Sequence, residues 1–483
     1  MYENLLANVP TDLWIGGKWR KASDGARFDV IDPATENTIA SVASAEIADA
    51  DAALDAAEAA FAGWAARKPR ERSEILRRAW ELMTARLDDF ARLITLENGK
   101  ARADAMGEAA YAAEFFRWFA EEAVRADGMI AHAPSSGARI VVQHKPAGIA
   151  VLVTPWNYPA AMGTRKIAPA LAAGCPVIIK PASETPLTML ALMPLLEEAG
   201  VPKGLVNVLP SKSAGKLVDH MLHDPRVRVV SFTGSTEVGR KLLHSAADLV
   251  VKPAMELGGN APLIVFEDAD IDKAVAGAML AKMRNLGEAC TAANRFYIHE
   301  KVSDEFTTKF TAAMAKLTMG NGLDDGIDVG PLVNAATRDK VAAFVDDAVA
   351  KGARVELGGN RPNGKGFFYP PTVLSVVPET ADCVHDEIFG PVAALQTFRD
   401  QEDVIRRAND TEYGLVAYVF SENMKRAMQV CERLEYGMVG LNRGLVSDPA
   451  APFGGVKQSG LGREGGHEGM LEFMETQYIS AEW

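Results

Sequence analysis

From Arg139 onward, short runs of β-branched and apolar residues alternate with segments of helical period, which restricts the chain to parallel sheets covered on both faces. The first set comprises Ile149 to Val153, Val177 to Ile179, Leu205 to Leu209 and Val227 to Phe232, with helices such as Pro159 to Ala173 and Pro186 to Glu198 between them. A second set follows at Pro262 to Phe266, Arg295 to His299, Arg354 to Leu357, Val392 to Phe398, Leu415 to Phe420 and Met438 to Leu441. Two α/β units in series are expected. Gly258-Gly259 is their expected junction, because paired glycines permit the backbone conformations that a crossover needs. Upstream, an extended start around Leu13 to Trp19 leads into a helical segment, Ser44 to Ala126, where Asn98-Gly99 supplies a stop. Two β-prone segments, roughly Asp127 to His144 and Met474 to Trp483, fit neither set. Such orphan strands often complete a sheet in a neighbouring subunit, so a homodimer or homotetramer is expected.

The charge balance excludes some functions. Lys and Arg total 51 against 64 Asp and Glu, a net charge of −13, which disfavours nucleic acid or an anionic membrane as the main partner. No run of about 18 apolar residues is present, and the opening Met1 to Pro10 lacks a basic stretch followed by an apolar one, so a soluble, cytoplasmic protein is expected. Cys175, Cys290, Cys383 and Cys431 form no C-x-x-C pair and no cluster with His at ligand spacing. Neither a disulfide framework nor a metal site is indicated.

Cys290 ends the run Arg284-Asn-Leu-Gly-Glu-Ala-Cys. Upstream lie Glu256, in Met-Glu-Leu-Gly-Gly-Asn, and Trp156-Asn157. These are the residue types that oxidation of an aldehyde through a thioester needs: a thiolate, an amide donor for the oxygen that becomes negative, and a carboxylate to activate water. Each is expected on a loop marked by Gly or Pro. A dinucleotide is suggested by Thr233-Gly234-Ser235, where a strand turns into a helix whose N-terminal N–H groups can hold phosphate. Lys180-Pro181-Ala182-Ser183, after the strand Val177 to Ile179, is a second candidate contact. Either segment alone is a weak signal.

Six ordered motifs together are specific: Thr154-Pro155-Trp156-Asn157, Lys180-Pro181, Phe232-Thr233-Gly234-Ser235, Glu256-Leu257-Gly258-Gly259, Cys290, and Glu387-Ile388-Phe389-Gly390-Pro391. On these the chain resembles the aldehyde dehydrogenase superfamily, from Trp14-Ile15-Gly16-Gly17 to Pro452-Phe453-Gly454-Gly455 and beyond, and within it is most similar to succinate-semialdehyde dehydrogenases. The resemblance implies an α/β fold with a Rossmann-type dinucleotide-binding domain (1–126 and 146–258), an α/β catalytic domain (259–458) and a small β bridging or oligomerisation element (127–145 and 470–483). It implies Cys290 as nucleophile, Glu256 as general base, Asn157 as oxyanion donor and Lys166 as a supporting residue. For the cofactor it implies Thr154, Pro155, Trp156, Gly234, Ser235, Gly258 and Phe389 along the cleft, Lys180 and Ser183 at the adenosine ribose, and Glu387 at the nicotinamide ribose.

For the substrate, the resemblance implies that Arg165, Arg284 and Ser447 bind a distal carboxylate, with Phe453 bordering the cleft. Two guanidiniums and a hydroxyl suit bidentate recognition of such a group. Succinate semialdehyde is the expected substrate, with glutarate semialdehyde or an aromatic or muconic semialdehyde as alternatives. Ser183 beside Lys180 tolerates a ribose phosphate, so NADP is expected beside NAD, unless Glu184 turns inward. The chain departs from its subgroup at Ala292, at Glu288-Ala289 and at Arg443. Two other functions stand further off: a CoA-acylating dehydrogenase, which typically lacks the base present here at Glu256, and a non-catalytic, crystallin-like role, which would need damaged catalytic residues.

Overall fold

The computed structural model describes residues 2–483, so Met1, counted by sequence in the first unit, lies outside it. An eight-stranded sheet runs in the order Gly460–Leu461, Lys252–Glu256, Val227–Thr233, Ile149–Val153, Val177–Lys180, Val206–Val208, Leu13–Ile15, Lys18–Arg20. Its five central strands are parallel, and short antiparallel strands close both edges. Every residue of Ile149–Val153 and Val177–Lys180 is buried, as strands covered on both faces require. Lys252–Glu256 was not among the expected strands, and it corrects one detail. Glu256 ends a strand rather than lying within a loop.

The seven-stranded sheet has the order Arg354–Leu357, Thr372–Ser375, Val392–Phe398, Ala293–His299, Ala261–Val265, Val416–Phe420, Met438–Leu441. All its pairings are parallel except the first. Gly258-Gly259 lies between the strand Lys252–Glu256 of one sheet and Ala261–Val265 of the other. A Cβ on Gly259 would sit 2.5 Å from the carbonyl oxygen of Cys290, so only glycine lets the two segments approach.

The helical segment expected from sequence contains four helices, Ile47–Ala65, Pro69–Thr84, Leu87–Asn98 and Arg102–Glu122, and Gly99 caps the third at φ 94°. Arg102–Glu122 packs against Ala161–Ala173, a helix with every residue buried. That packing fixes the loop that carries Asn157 just before it. The two orphan segments pair with one another in a three-stranded sheet, Met474–Ala481 with Arg139–Pro146 and then Met129–His132. A hairpin of Arg27–Ile31 and Thr38–Ala43 completes the strands. Among the described residues no helix is long and apolar enough to cross a membrane.

Candidate active site

Helix Ile271–Met283 ends in a turn where Asn285, Leu286 and Gly287 all take left-handed backbone angles, with φ of 52°, 48° and 76°. Two of these are not glycine, a strained conformation that its surroundings must hold. Asp104 Oδ2 accepts the Asn285 N–H at 2.8 Å, and Asn285 Nδ2 donates to the carbonyls of Asn157 at 3.0 Å and Glu288 at 2.8 Å. The turn delivers Cys290 to a cavity of about 240 Å³ that Trp156, Asn157, Gly234, Ser235, Gly258, Glu387 and Phe389 also line. Burial pushes the Cys290 thiol up to about 12; Arg165 and Arg284 pull it down, while Glu387 and Glu256 push it further up. Cys290 in this state is a thiol at neutral pH.

Asn157 lines the same cavity as Cys290. Its buried Nδ2 donates to the Glu288 carbonyl at 3.0 Å, and because an amide nitrogen carries two hydrogens, one N–H remains for a ligand. Its main chain is clamped from behind: Lys100 Nζ donates to the Asn157 carbonyl at 2.6 Å and pairs with Glu108 at 2.5 Å, both side chains buried. Glu108 Oε1 in turn accepts the N–H groups of Ala160 and Ala161 at 2.8 and 3.3 Å. Glu288, noted by sequence as a departure, is fully buried, with Oε1 accepting the Val333 N–H at 3.1 Å; burial pushes its carboxyl up to about 8.

Glu256 is buried, and its Oε2 has no hydrogen-bond partner among the described residues. Desolvation, aided by the charge of Glu464, holds its carboxyl well above the ordinary range, with Arg165 and Lys166 opposing. Glu464 escaped the sequence reading. It pairs with both Arg165 Nε and Lys166 Nζ in the interior, and these two cations outweigh the cost of burial and keep it ionised. The available signal was the adjacent pair Arg165-Lys166 on an apolar helix, since buried cations need a carboxylate. Lys166 also donates to Ser231 Oγ at 3.0 Å, and the Arg165 guanidinium lies over the Phe453 ring at 4.2 Å.

The cofactor candidates divide into two groups. Gly234 and Ser235 open helix Thr236–Ala247, with Ser235 Oγ accepting the Val238 N–H at 3.4 Å. Glu387 Oε1 accepts the Gly259 N–H at 3.2 Å, and burial raises the Glu387 carboxyl to about 7. Trp156 and Phe389 meet edge-on at 5.3 Å. A helix N-terminus for phosphate, a half-buried carboxylate for ribose hydroxyls and an aromatic pair on the cavity wall together fit a dinucleotide. Thr154, Lys180 and Ser183 lie outside the lining of this cavity, at the carboxyl ends of neighbouring strands, where the Thr154 N–H donates to the Lys180 carbonyl at 3.2 Å. Burial lowers the Lys180 ammonium to about 8. Ser183 Oγ donates to Glu184 Oε2 at 3.2 Å.

The substrate candidates also separate. Arg284 and Ser447 share a second cavity, of about 230 Å³, with Asp104, Tyr111, Tyr158 and Leu445. Arg284 Nε donates to Tyr158 Oη at 3.0 Å and Nη2 to Ser447 Oγ at 3.4 Å. Arg165 and Phe453 are not on this wall. Arg165 is engaged with Glu464, although its Nη2 is buried without a partner among the described residues. Arg443 is exposed in the loop before Ser447 and lines neither cavity.

The model of the aldehyde dehydrogenase family matches residues 19–479. A succinate-semialdehyde dehydrogenase of Paenarthrobacter nicotinovorans is 55% identical over 441 residues, which span 91% of this chain and 98% of that one. A glutarate-semialdehyde dehydrogenase of Pseudomonas putida is 47% identical over 468 residues, 96% of each chain. The crystal structure of an Escherichia coli NADP-dependent enzyme superposes with a TM-score of 0.97 at 46% identity, covering 100% of this chain and 99% of that one.

Proposed function

The chain belongs to the aldehyde dehydrogenase family, and from that premise we propose that it oxidises an aldehyde ending in a carboxylate, succinate semialdehyde foremost, to the corresponding acid with NAD or NADP. The observation that carries the choice of substrate is the Arg284–Ser447–Tyr158 cluster on the second cavity, Arg284 standing six residues before Cys290 in the sequence. A carboxylate there would meet a guanidinium, a hydroxyl and a phenol, which is enough to desolvate it without leaving it unpaired. Glutarate semialdehyde is the runner-up, supported by the Pseudomonas relative.

In this reading the Cys290 thiolate adds to the aldehyde carbon, and the second N–H of Asn157 stabilises the oxygen that becomes negative. The nicotinamide ring, when bound, accepts the hydride. Gly234, Ser235, Gly258, Glu387, Trp156 and Phe389 would hold the nucleotide, with Lys180 and Ser183 at its adenosine end. Glu256, its basicity raised by burial, takes a proton from the water that attacks the Cys290 thioester, and the acid leaves. Burial and the charge of Glu464 raise the basicity of Glu256, and Arg165 and Lys166, paired with Glu464, moderate it. Glu256 also separates this reading from transfer to CoA, which has no need of that base.

We read residues 2–126 and 146–258 as the nucleotide-binding unit, 259–458 as the catalytic unit and the three-stranded sheet as the oligomerisation element. Exposed Met129, Ile130, Tyr478 and Ile479 on that sheet support self-association into a dimer or tetramer. Four free cysteines are consistent with the reducing cytoplasm. The test is a panel of carboxylate-ended and neutral aldehydes, followed by NADH or NADPH formation and product analysis without CoA. Arg284→Ala should raise KM for succinate semialdehyde about 10- to 100-fold, the worth of a charge-assisted hydrogen bond, and leave butanal nearly unchanged. Equal effects on both would remove the carboxylate reading.

A further inference from the structure

We propose that Asp104 limits the substrate tail to a single negative charge, by offsetting Arg284 on the wall of the cavity they share. The proposal rests on the reading of that cavity as the pocket for the tail. Helix Arg102–Glu122 brings Asp104 to the same wall as Arg284, Ser447 and Tyr158. Asp104 Oδ2 accepts a hydrogen bond from the Asn285 N–H at 2.8 Å, and among the described residues it makes no ion pair with Arg284. The two charges nevertheless act on each other. Arg284 spends Nε on Tyr158 and Nη2 on Ser447, which leaves Nη1 without a protein partner among the described residues. Burial raises the Asp104 carboxyl while the Asn285 N–H, Lys100 and Arg284 lower it, and neither Asp104 nor Arg284 closes the cavity by pairing with the other.

The remaining charges nearby are largely balanced. Lys100 is matched by Glu108, and Arg165 and Lys166 share Glu464. Burial disfavours the anions of both Cys290 and Glu256. With Asp104 ionised, it and Arg284 cancel on this wall, so the tail carboxylate is held by hydrogen bonds from Arg284, Ser447 and Tyr158 and no surplus positive charge is left for a second anionic group. A second negative charge on the tail would face Asp104 in a partly dehydrated space, where like charges repel far more than in water. Asp104 is thus a specificity-determining residue, separate from the groups that would bind the tail directly.

The test compares kcat/KM for glyceraldehyde 3-phosphate, doubly charged at pH 8, with that for succinate semialdehyde, and includes butanal as the uncharged reference. Asp104→Asn keeps an oxygen for the Asn285 N–H and should raise the phosphate-to-carboxylate ratio about tenfold, whereas Asp104→Glu should leave it at the wild-type value. A ratio unchanged in Asp104→Asn overturns the proposal, because a merely structural role would slow all three aldehydes alike. The wild-type enzyme supplies a second reading that does not depend on folding of a variant. Its ratio should rise as pH falls through about 6, where the phosphate takes up a proton; a flat ratio also overturns the proposal. A wild type that treats butanal and succinate semialdehyde alike would instead remove the underlying reading of the tail pocket.

Discussion

Asn157 Nδ2 donates to the main-chain carbonyl of Glu288 at 3.0 Å, which ties the amide aimed at the oxyanion to the loop that carries Cys290 two residues later. The Asn157 amide and the Cys290 loop are therefore tied to one another by a direct hydrogen bond. Asn157→Ala should lower kcat by 10²- to 10³-fold, about 2.7–4 kcal/mol of barrier, with a near-native circular dichroism spectrum. Steady-state turnover close to wild type would contradict the assignment.

The acidity of Cys290 gives a second test in the nucleotide-free enzyme. With its thiol pushed up to about 12, alkylation by iodoacetamide should accelerate roughly tenfold per pH unit from pH 7 to 10, because only the thiolate reacts. Glu387, whose carboxyl ionises near 7, opposes that thiolate only once it is charged. Glu387→Gln should speed alkylation above pH 7 and leave it unchanged at pH 6. A uniform effect across the range would show that Glu387 acts otherwise.

The alternation of strands and helices made the two sheets legible, and motif order brought Cys290, Asn157 and Glu256 together before any coordinates. What escaped had no local signature. The strand Lys252–Glu256 contains Pro253, a residue that argues against a strand, and it is tolerated beside the short edge strand Gly460–Leu461. Glu464 lies nearly 300 residues from Lys166, and Asp104 and Tyr158 reach the Arg284 cavity from separate elements. Arg165 is expected from the resemblance to bind a substrate carboxylate, and its engagement with Glu464 is revealed only by the folded chain.

Nucleotide choice turns on the Ser183–Glu184 contact. If this corner holds the adenosine ribose, as we propose, the Glu184 carboxylate would oppose a ribose phosphate and Lys180 would attract one. Glu184→Gln should raise the ratio of kcat/KM for NADP over NAD about 5- to 10-fold, measured with the same aldehyde. No change in that ratio would place Glu184 away from the phosphate.

Glu288 makes stability depend on pH. Its carboxyl is raised from 4.5 to about 8 on folding, so the folded protein keeps a proton that the unfolded chain releases, and this contribution to stability falls as pH rises between those values. Glu288→Gln lacks the slope. The Tm of the variant relative to wild type should climb steadily from pH 5 to pH 8 and level off above; a constant difference would mean that Glu288 is ionised in the fold.

The central claim is that Cys290 carries the acyl group and Glu256 removes it. Glu256→Gln, mixed with succinate semialdehyde and NADP, should form about one equivalent of NADPH in a burst and then stall, and mass spectrometry should find the succinyl adduct on the Cys290 peptide. Full turnover without a burst, or an adduct on Cys175, Cys383 or Cys431 instead, would contradict the account.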